Sequence, residues 1–310
     1  MFKVDQSNIG FAVPAFSGAQ STLWLARPSL SSLVRAVISR DTRGVALTAP
    51  QRYNHMPASP TCAITWYFTG EADVVEPGFP AHADSPRERV PYRVMFTGPF
   101  TQPVLTWNPG EMHAMVLMLM PDALLHLTGV DPGAYINRVV PVDEVLDAEW
   151  VQMCRQVEQA GDDDARVQLI DAFLNPLWQA RRPESSLPAR LYTDWSQNLA
   201  MRAATSGLGR SLRQVERRIK QWTGQPLREL RGVSRSERVF FDALMAQRSG
   251  AVNWSEVADK NGYSDQSHLC RQTLKITGFP PEELRRRIFE DESFWVYRLW
   301  GFSEGGQELS

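Results

Sequence analysis

The sequence predicts an α+β N-terminal region dominated by strands, followed by an all-α C-terminal region. Three observations carry this. Short runs rich in aromatic and β-branched residues, broken by Pro and Gly, recur through residues 1–120. Beyond about residue 190 every periodic segment has helical spacing. Charge divides the same way: residues 1–189 hold 14 Lys and Arg against 20 Asp and Glu, residues 190–290 hold 18 against 11, and the last twenty hold one against four. The net charge of −2 therefore hides an acidic first part and a basic second part. At 310 residues, 43% hydrophobic and 22% charged, the chain has the length and balance of two soluble domains.

Taken in order, Ser29–Ser39 has helical spacing (Leu30, Leu33, Val34, Val37) after Pro28, an acceptable helix start. Strands are expected at Ala63–Thr69, Tyr92–Phe96, Val104–Trp107 and His113–Leu119, the last apolar on both alternating faces and hence buried. From Pro121 the pattern turns helical, with helices at Asp122–Leu127, Asp143–Gln159 and Ala165–Arg181. Ala180–Pro188, with two prolines and two serines, reads as a linker. After it come six helices, Tyr192–Ala204, Leu212–Trp222, Leu227–Met245, Trp254–Lys260, Gln266–Ile276 and Glu282–Phe289. Their turns carry Gly207, Gly209, Gly224, Gly250, Gly262 and Gly278. The domains expected are thus 1–182, a linker over 183–189, a helical domain over 190–290, and an extension over 291–310.

Composition excludes several classes. No apolar run approaches the roughly 20 residues of a membrane helix, and the N-terminus lacks a basic region followed by an apolar core. Cys62, Cys154 and Cys270 are too far apart for a disulfide framework or a metal site, which fits the cytoplasm. No nucleophile motif or phosphate-binding glycine loop occurs, so neither an enzyme nor a cofactor is expected. Among the five histidines, Glu111-x-His113 is the nearest approach to a metal motif, and no metal is expected. A basic segment beside an acidic one instead favours a polyanionic partner.

The C-terminal region repeats one layout twice. Trp254–Pro281 holds a short helix with Val257 and Ala258 inward and a stop at Asn261-Gly262, where glycine permits the left-handed turn residue. Ser264 then serves as N-cap of a second helix, with Leu269 and Ile276 on one face and Gln266, Ser267, Cys270 and Arg271 opposite. Upstream, Gly209–Pro226 follows the same plan, with Tyr192–Ala204 as its first helix. Ser211 is its N-cap, Val215 and Ile219 point inward, and Arg213, Glu216 and Arg217 point outward, so Arg217 corresponds to Arg271. In a helix-turn-helix unit the second helix lies in the major groove and presents such side chains to base edges.

This paired layout resembles the AraC/XylS family of bacterial transcriptional regulators, over residues 190–288. Ala258, Gly262-Tyr263-Ser264, Gln266-Ser267, Arg271, Lys275, Gly278 and Pro281 match the family's second unit, and Ser211, Arg213, Val215, Arg217 and Gly224 its first. The resemblance implies a seven-helix domain that places two recognition helices in successive major grooves of double-stranded DNA. Arg213, Glu216, Arg217, Gln266, Ser267, Cys270 and Arg271 are the candidate base contacts, and Ser211, Lys220, Ser264 and Lys275 the candidate phosphate contacts. Where the family has Phe and then a basic residue, this chain has Thr273 and Leu274; Leu274 is expected to take over the packing, leaving Lys275 for phosphate.

For residues 1–182 the expectation is a sensory or dimerisation domain, cupin-like folds included. It would make a homodimer, take a small-molecule effector, and, in an activator, bring RNA polymerase to a promoter. Trp66, Phe68, Phe96 and Trp107 are candidates for lining an effector pocket, against the plainer alternative of core packing. The rival reading is a ligand-binding protein or enzyme carrying a helical protein-interaction module. Asp291–Gly301, with four aromatics, is expected to fold back onto the protein, because free in water it would expose a sizeable apolar patch.

Overall fold

The computed structural model describes residues 1–4, 18–189, 191–206, 211–248 and 252–305. Gly207, Gly209 and Gly250 lie outside the described residues. An antiparallel, sheet-rich N-terminal region precedes a helical C-terminal region. The larger sheet orders its strands β1 (Phe2–Lys3), β2 (Gln20–Leu25), β3 (Val34–Asp41), β10 (His113–Leu119), β5 (Cys62–Thr69), β8 (Val94–Thr97) and β11 (Val139–Pro141). The smaller one orders β4 (Tyr53–Met56), β9 (Val104–Trp107), β6 (Asp73–Val75) and β7 (Arg87–Arg89).

The helix expected over Ser29–Ser39 is not formed. A turn over 28–33 leads into β3, which pairs antiparallel with β2 and β10, with Val37 opposite Trp24 and Leu117. Two flanking strands supply ladder partners for every residue of β3 except Arg35, which sits at a register shift, and that tertiary pairing outweighs the helical spacing of Leu30, Leu33, Val34 and Val37. The helix expected from Asp143 starts instead at Ala148, where the Asp147 carboxylate accepts from the N–H groups of Glu149 and Trp150.

Alternation along the strands gives the larger sheet two apolar faces. One, with Trp24, Val37, Ile64, Trp66, Phe96 and Leu117, packs against α1 (Pro121–Thr128), α2 (Ala148–Gln159) and α3 (Asp163–Arg181). The same apolar cluster continues without a break into α4 (Tyr192–Thr205), α5 (Leu212–Thr223) and the start of α6 (Leu227–Arg248), through Trp195, Leu199, Ile219 and Leu230. The remaining helices are α7 (Trp254–Lys260), α8 (Gln266–Thr277), α9 (Pro281–Glu290) and α10 (Trp295–Gly305). α7 and α8 share a separate small core of Val239, Val257, Ala258, Tyr263 and Leu269.

The C-terminal extension folds back onto the other face of the sheet. In α10, Trp295, Val296 and Leu299 pack against Leu23, Ala36 and Ile38, the Val, Leu and Ile side chains each worth about 1.5–3 kcal/mol when fully buried. Glu292, just before the helix, is buried between two guanidiniums, pairing with Arg40 of β3 and with Arg298 at 3.1 Å. Burial and the like charge of Arg40 pull Arg298 down to about 10, which still leaves it protonated at neutral pH. The Trp295 indole N–H donates to Asn54 Oδ1 of β4 at 2.8 Å. Among the described residues no helix is long and apolar enough to cross a membrane.

Removing Glu292 would strand two buried cations. Glu292→Ala is expected to cost about 3–5 kcal/mol in urea unfolding, whereas an apolar replacement of the network, Arg40→Met with Glu292→Leu and Arg298→Met, should recover much of that loss.

Candidate nucleic-acid interface

α5 and α8 each follow a partner helix, α4 and α7 respectively, and begin on a side-chain cap. At α5 the Ser211 hydroxyl accepts from the Gln214 N–H at 3.4 Å, and the Gln214 side chain reaches back to the Ser211 N–H. At α8 the cap is Asp265, not Ser264. Its carboxylate accepts from the His268 N–H at 2.7 Å, while the Ser264 hydroxyl donates to the same carboxylate at 3.1 Å. The bond from His268 does most to hold Asp265 below the usual carboxylate range, with Ser264 and the nearby charge of Arg271 adding to it.

The outward faces carry the expected side chains. Arg213, Glu216, Arg217 and Lys220 are exposed on α5, as are Gln266, Ser267 and Arg271 on α8, with Cys270 half-buried. Arg213, Arg217, Lys220 and Arg271 make no hydrogen bond or salt bridge with any described residue. Other candidates are engaged: Glu216 accepts from the Leu227 N–H at the start of α6 (3.3 Å), Gln266 from the Ser255 hydroxyl (3.3 Å), and Lys275 pairs with Glu229 at 2.5 Å. The interior position of α8 is filled by Thr273, buried, while Leu274 is 49% exposed. Leu274 does not take over the packing, because the helix keeps its register and Leu269 and Ile276 already supply the inward side.

The C-terminal ends of the two helices sit on the N-terminal body. Gly224 (φ 75°) ends α5, and a Cβ added there would lie 2.8 Å from the Gly133 Cα, in the 3-10 turn Pro132–Tyr135. Only glycine meets both the left-handed backbone and that close approach. Nearby, Asp122 of α1 accepts from the Trp195 indole (2.8 Å) and pairs with Arg202 (2.5 Å). Gly278 (φ 82°) ends α8; two residues earlier the Ile276 carbonyl accepts from the Ala58 N–H at 2.8 Å. Arg35 of β3 pairs with Glu237 of α6 at 2.6 Å.

Between the second face of the larger sheet, the smaller sheet and the C-terminal helices lies a cavity of about 290 Å³. Its lining is mostly apolar and includes Thr65, Val116, Val74, Phe240, Ile276 and Trp295. Trp66, Phe68, Phe96 and Trp107 are not among the lining residues. Trp66 and Phe96 are fully buried on the helix-covered face, the Trp66 indole donating to the Cys154 carbonyl at 3.2 Å. Phe68 lies under the Arg166 guanidinium at 3.6 Å, and Trp107 under that of Arg87 at 3.9 Å. Strand alternation sends their neighbours Thr65, Tyr67, Met95, Thr97 and Thr106 into the cavity instead. The signal that could have found the lining was this one-residue offset, combined with knowledge of which sheet face the helices cover. His113 pairs with Asp163 at 3.0 Å, and among the described residues no cluster of three or more potential metal ligands occurs.

No family model matches the chain, and no curated protein matches it in sequence. Solved structures of ToxT from Vibrio cholerae share a weak likeness. An apo lysine-to-alanine variant of strain SCE256 is 10% identical with a TM-score of 0.36, covering 80% of this chain and 95% of that one. A 1.65 Å structure of ToxT is 8% identical at 0.35, covering 86% and 97%. Wild-type ToxT with bound unsaturated fatty acid is 8% identical at 0.34, covering 88% and 96%. Likeness at that level carries no argument about this chain, and its own geometry has to do so.

At the seam of body, second unit and extension, His55 of β4 stacks on Phe294 (4.4 Å) and meets the edge of Phe279 (5.3 Å), with Asp291 and Arg287 as its charged neighbours. Burial pushes its imidazole down to about 4 from 6.5. The unfolded chain therefore binds this proton more readily, so stability is full above pH 6.5 and declines as pH falls toward 4. Comparing urea midpoints at pH 7 and pH 4.5, His55→Phe should show a shallower decline, by up to about 3 kcal/mol.

Proposed function

We propose that the chain is a sequence-specific DNA-binding transcriptional regulator of AraC/XylS type. The observation that carries this reading is the pair of capped helices whose equivalent arginines, Arg217 and Arg271, stand exposed without a hydrogen bond or ion pair to a described residue, in the basic part of the chain. A guanidinium of this kind offers a bidentate fork to guanine O6 and N7. α5 and α8 would enter successive major grooves, with Arg213, Arg217, Gln266, Ser267, Cys270 and Arg271 toward base edges. Ser211, Lys220, Ser264 and Lys275 would face phosphates, Lys275 leaving Glu229 to do so. Glu216 is better employed on the Leu227 N–H than on a base.

Residues 1–182 would sense a small apolar effector in the cavity and bring two copies together in the cytoplasm; activation would add contact with RNA polymerase. The cavity's mostly apolar lining favours an apolar ligand over a sugar.

Fluorescence anisotropy on a site selected from random duplexes tests the DNA reading. Arg217→Ala and Arg271→Ala should each cost about 1–3 kcal/mol there and little on unrelated DNA. Lys220→Ala should weaken both and reduce the salt slope by about one unit. Failure to bind any duplex at low salt would instead favour a protein-interaction role for the helices.

A further inference from the structure

The two outward faces differ in chemistry at equivalent positions. Counting from Arg217 and Arg271, Arg213 answers to Ser267, Glu216 to Cys270, and Lys220 to Leu274. At about 100° per residue, Leu274 lies within about 20° of Ser267 and about 60° of Arg271 around the helix. Leu269, Thr273 and Ile276 are buried on the far side. A side chain on a helix leans toward the N-terminus, so the Leu274 isobutyl group covers the turn that carries Cys270 and Arg271. The centre of the α8 face is therefore an apolar strip beside a guanidinium, where α5 has a carboxylate and an ammonium.

The geometry points to Leu274, flanked by Cys270, as the reader of a thymine methyl in the major groove, next to the base that Arg271 contacts. This rests on the reading of α8 as a recognition helix. The thymine C5-methyl is the one apolar group among the major-groove edges. Against Leu274 it loses hydration favourably, whereas a cytosine would press its N4 amino group on an isobutyl surface and lose a hydrogen bond to water. Lys220, at the matching place on α5, suits a phosphate or guanine instead. The two half-sites are then unlike, and only the second requires thymine.

The full chain is used to select a site from random duplexes, and each thymine of that site is replaced singly by uracil, which deletes only the methyl. At one thymine beside the guanine that Arg271→Ala ceases to distinguish, uracil is expected to weaken binding about threefold to fivefold. Leu274→Ala should weaken the thymine duplex by a similar factor and make thymine and uracil equal. Leu274→Lys, copying Lys220, should also abolish the preference. Uracil binding like thymine at every position, or a uracil penalty undiminished in Leu274→Ala, overturns the inference while a normal Arg271→Ala effect leaves the DNA reading intact. If no site is selected, or Arg271→Ala changes no base preference, the reading of α8 falls and this inference with it.

Discussion

The close approach of Gly224 to Gly133 and the bond from the Ala58 N–H to the Ile276 carbonyl set the geometry of the C-terminal half. Each ties the end of one outward-facing helix to a different part of the N-terminal body. Two helix pairs, α4–α5 and α7–α8, joined only by α6 could bend relative to one another. Here the body spans both, and the spacing between Arg217 and Arg271 becomes a property of the N-terminal region as much as of α6. Any change in that region, a ligand in the cavity included, has a direct mechanical route to the outward faces of α5 and α8.

The attachment is unequal. α4 and α5 share a continuous core with the sheet, so the first unit cannot leave the body without exposing Trp195, Leu199 and Ile219. The second pair has its own small cluster and shares another with α9 and the extension, and it meets the body through the Ala58–Ile276 bond and through Phe279 on His55. There the Arg40–Glu292–Arg298 network matters most. Its net contribution to stability is modest, because desolvating three charges offsets most of their attraction. It fixes where α10 lies, and α10 with α9 closes one side of the cavity. The second unit is thus the part whose position a cavity ligand can most readily shift.

Much of this was legible locally. The helices from 192 to 289 were recoverable to within a residue or two, except α6, whose end ran three residues beyond expectation, because caps such as Ser211 and stops such as Gly224 and Gly278 act within a single turn. The fold-back of Asp291–Gly301 followed from its aromatic density alone. What escaped depended on distant partners. Residues 29–39 carry a helical pattern that only the pairing of β3 with β2 and β10 overrides. Arg35 and Arg40 are buried on the strength of Glu237 and Glu292, more than 200 residues away. The aromatics picked for a pocket stand on the wrong side of their strands by one residue. Leu274 looked like a core residue because its outward position depends on Thr273 accepting the interior one.

The central claim is that the N-terminal body holds α5 and α8 at one fixed separation. Spin labels at Gln221→Cys and Ser267→Cys, with Cys270→Ser to leave only buried thiols, report that separation directly by pulsed electron resonance. A single narrow distance in the free full-length chain is predicted, widening when Glu292→Ala loosens the extension. A broad distribution in the unaltered chain, as for two units joined by α6 alone, would contradict the account.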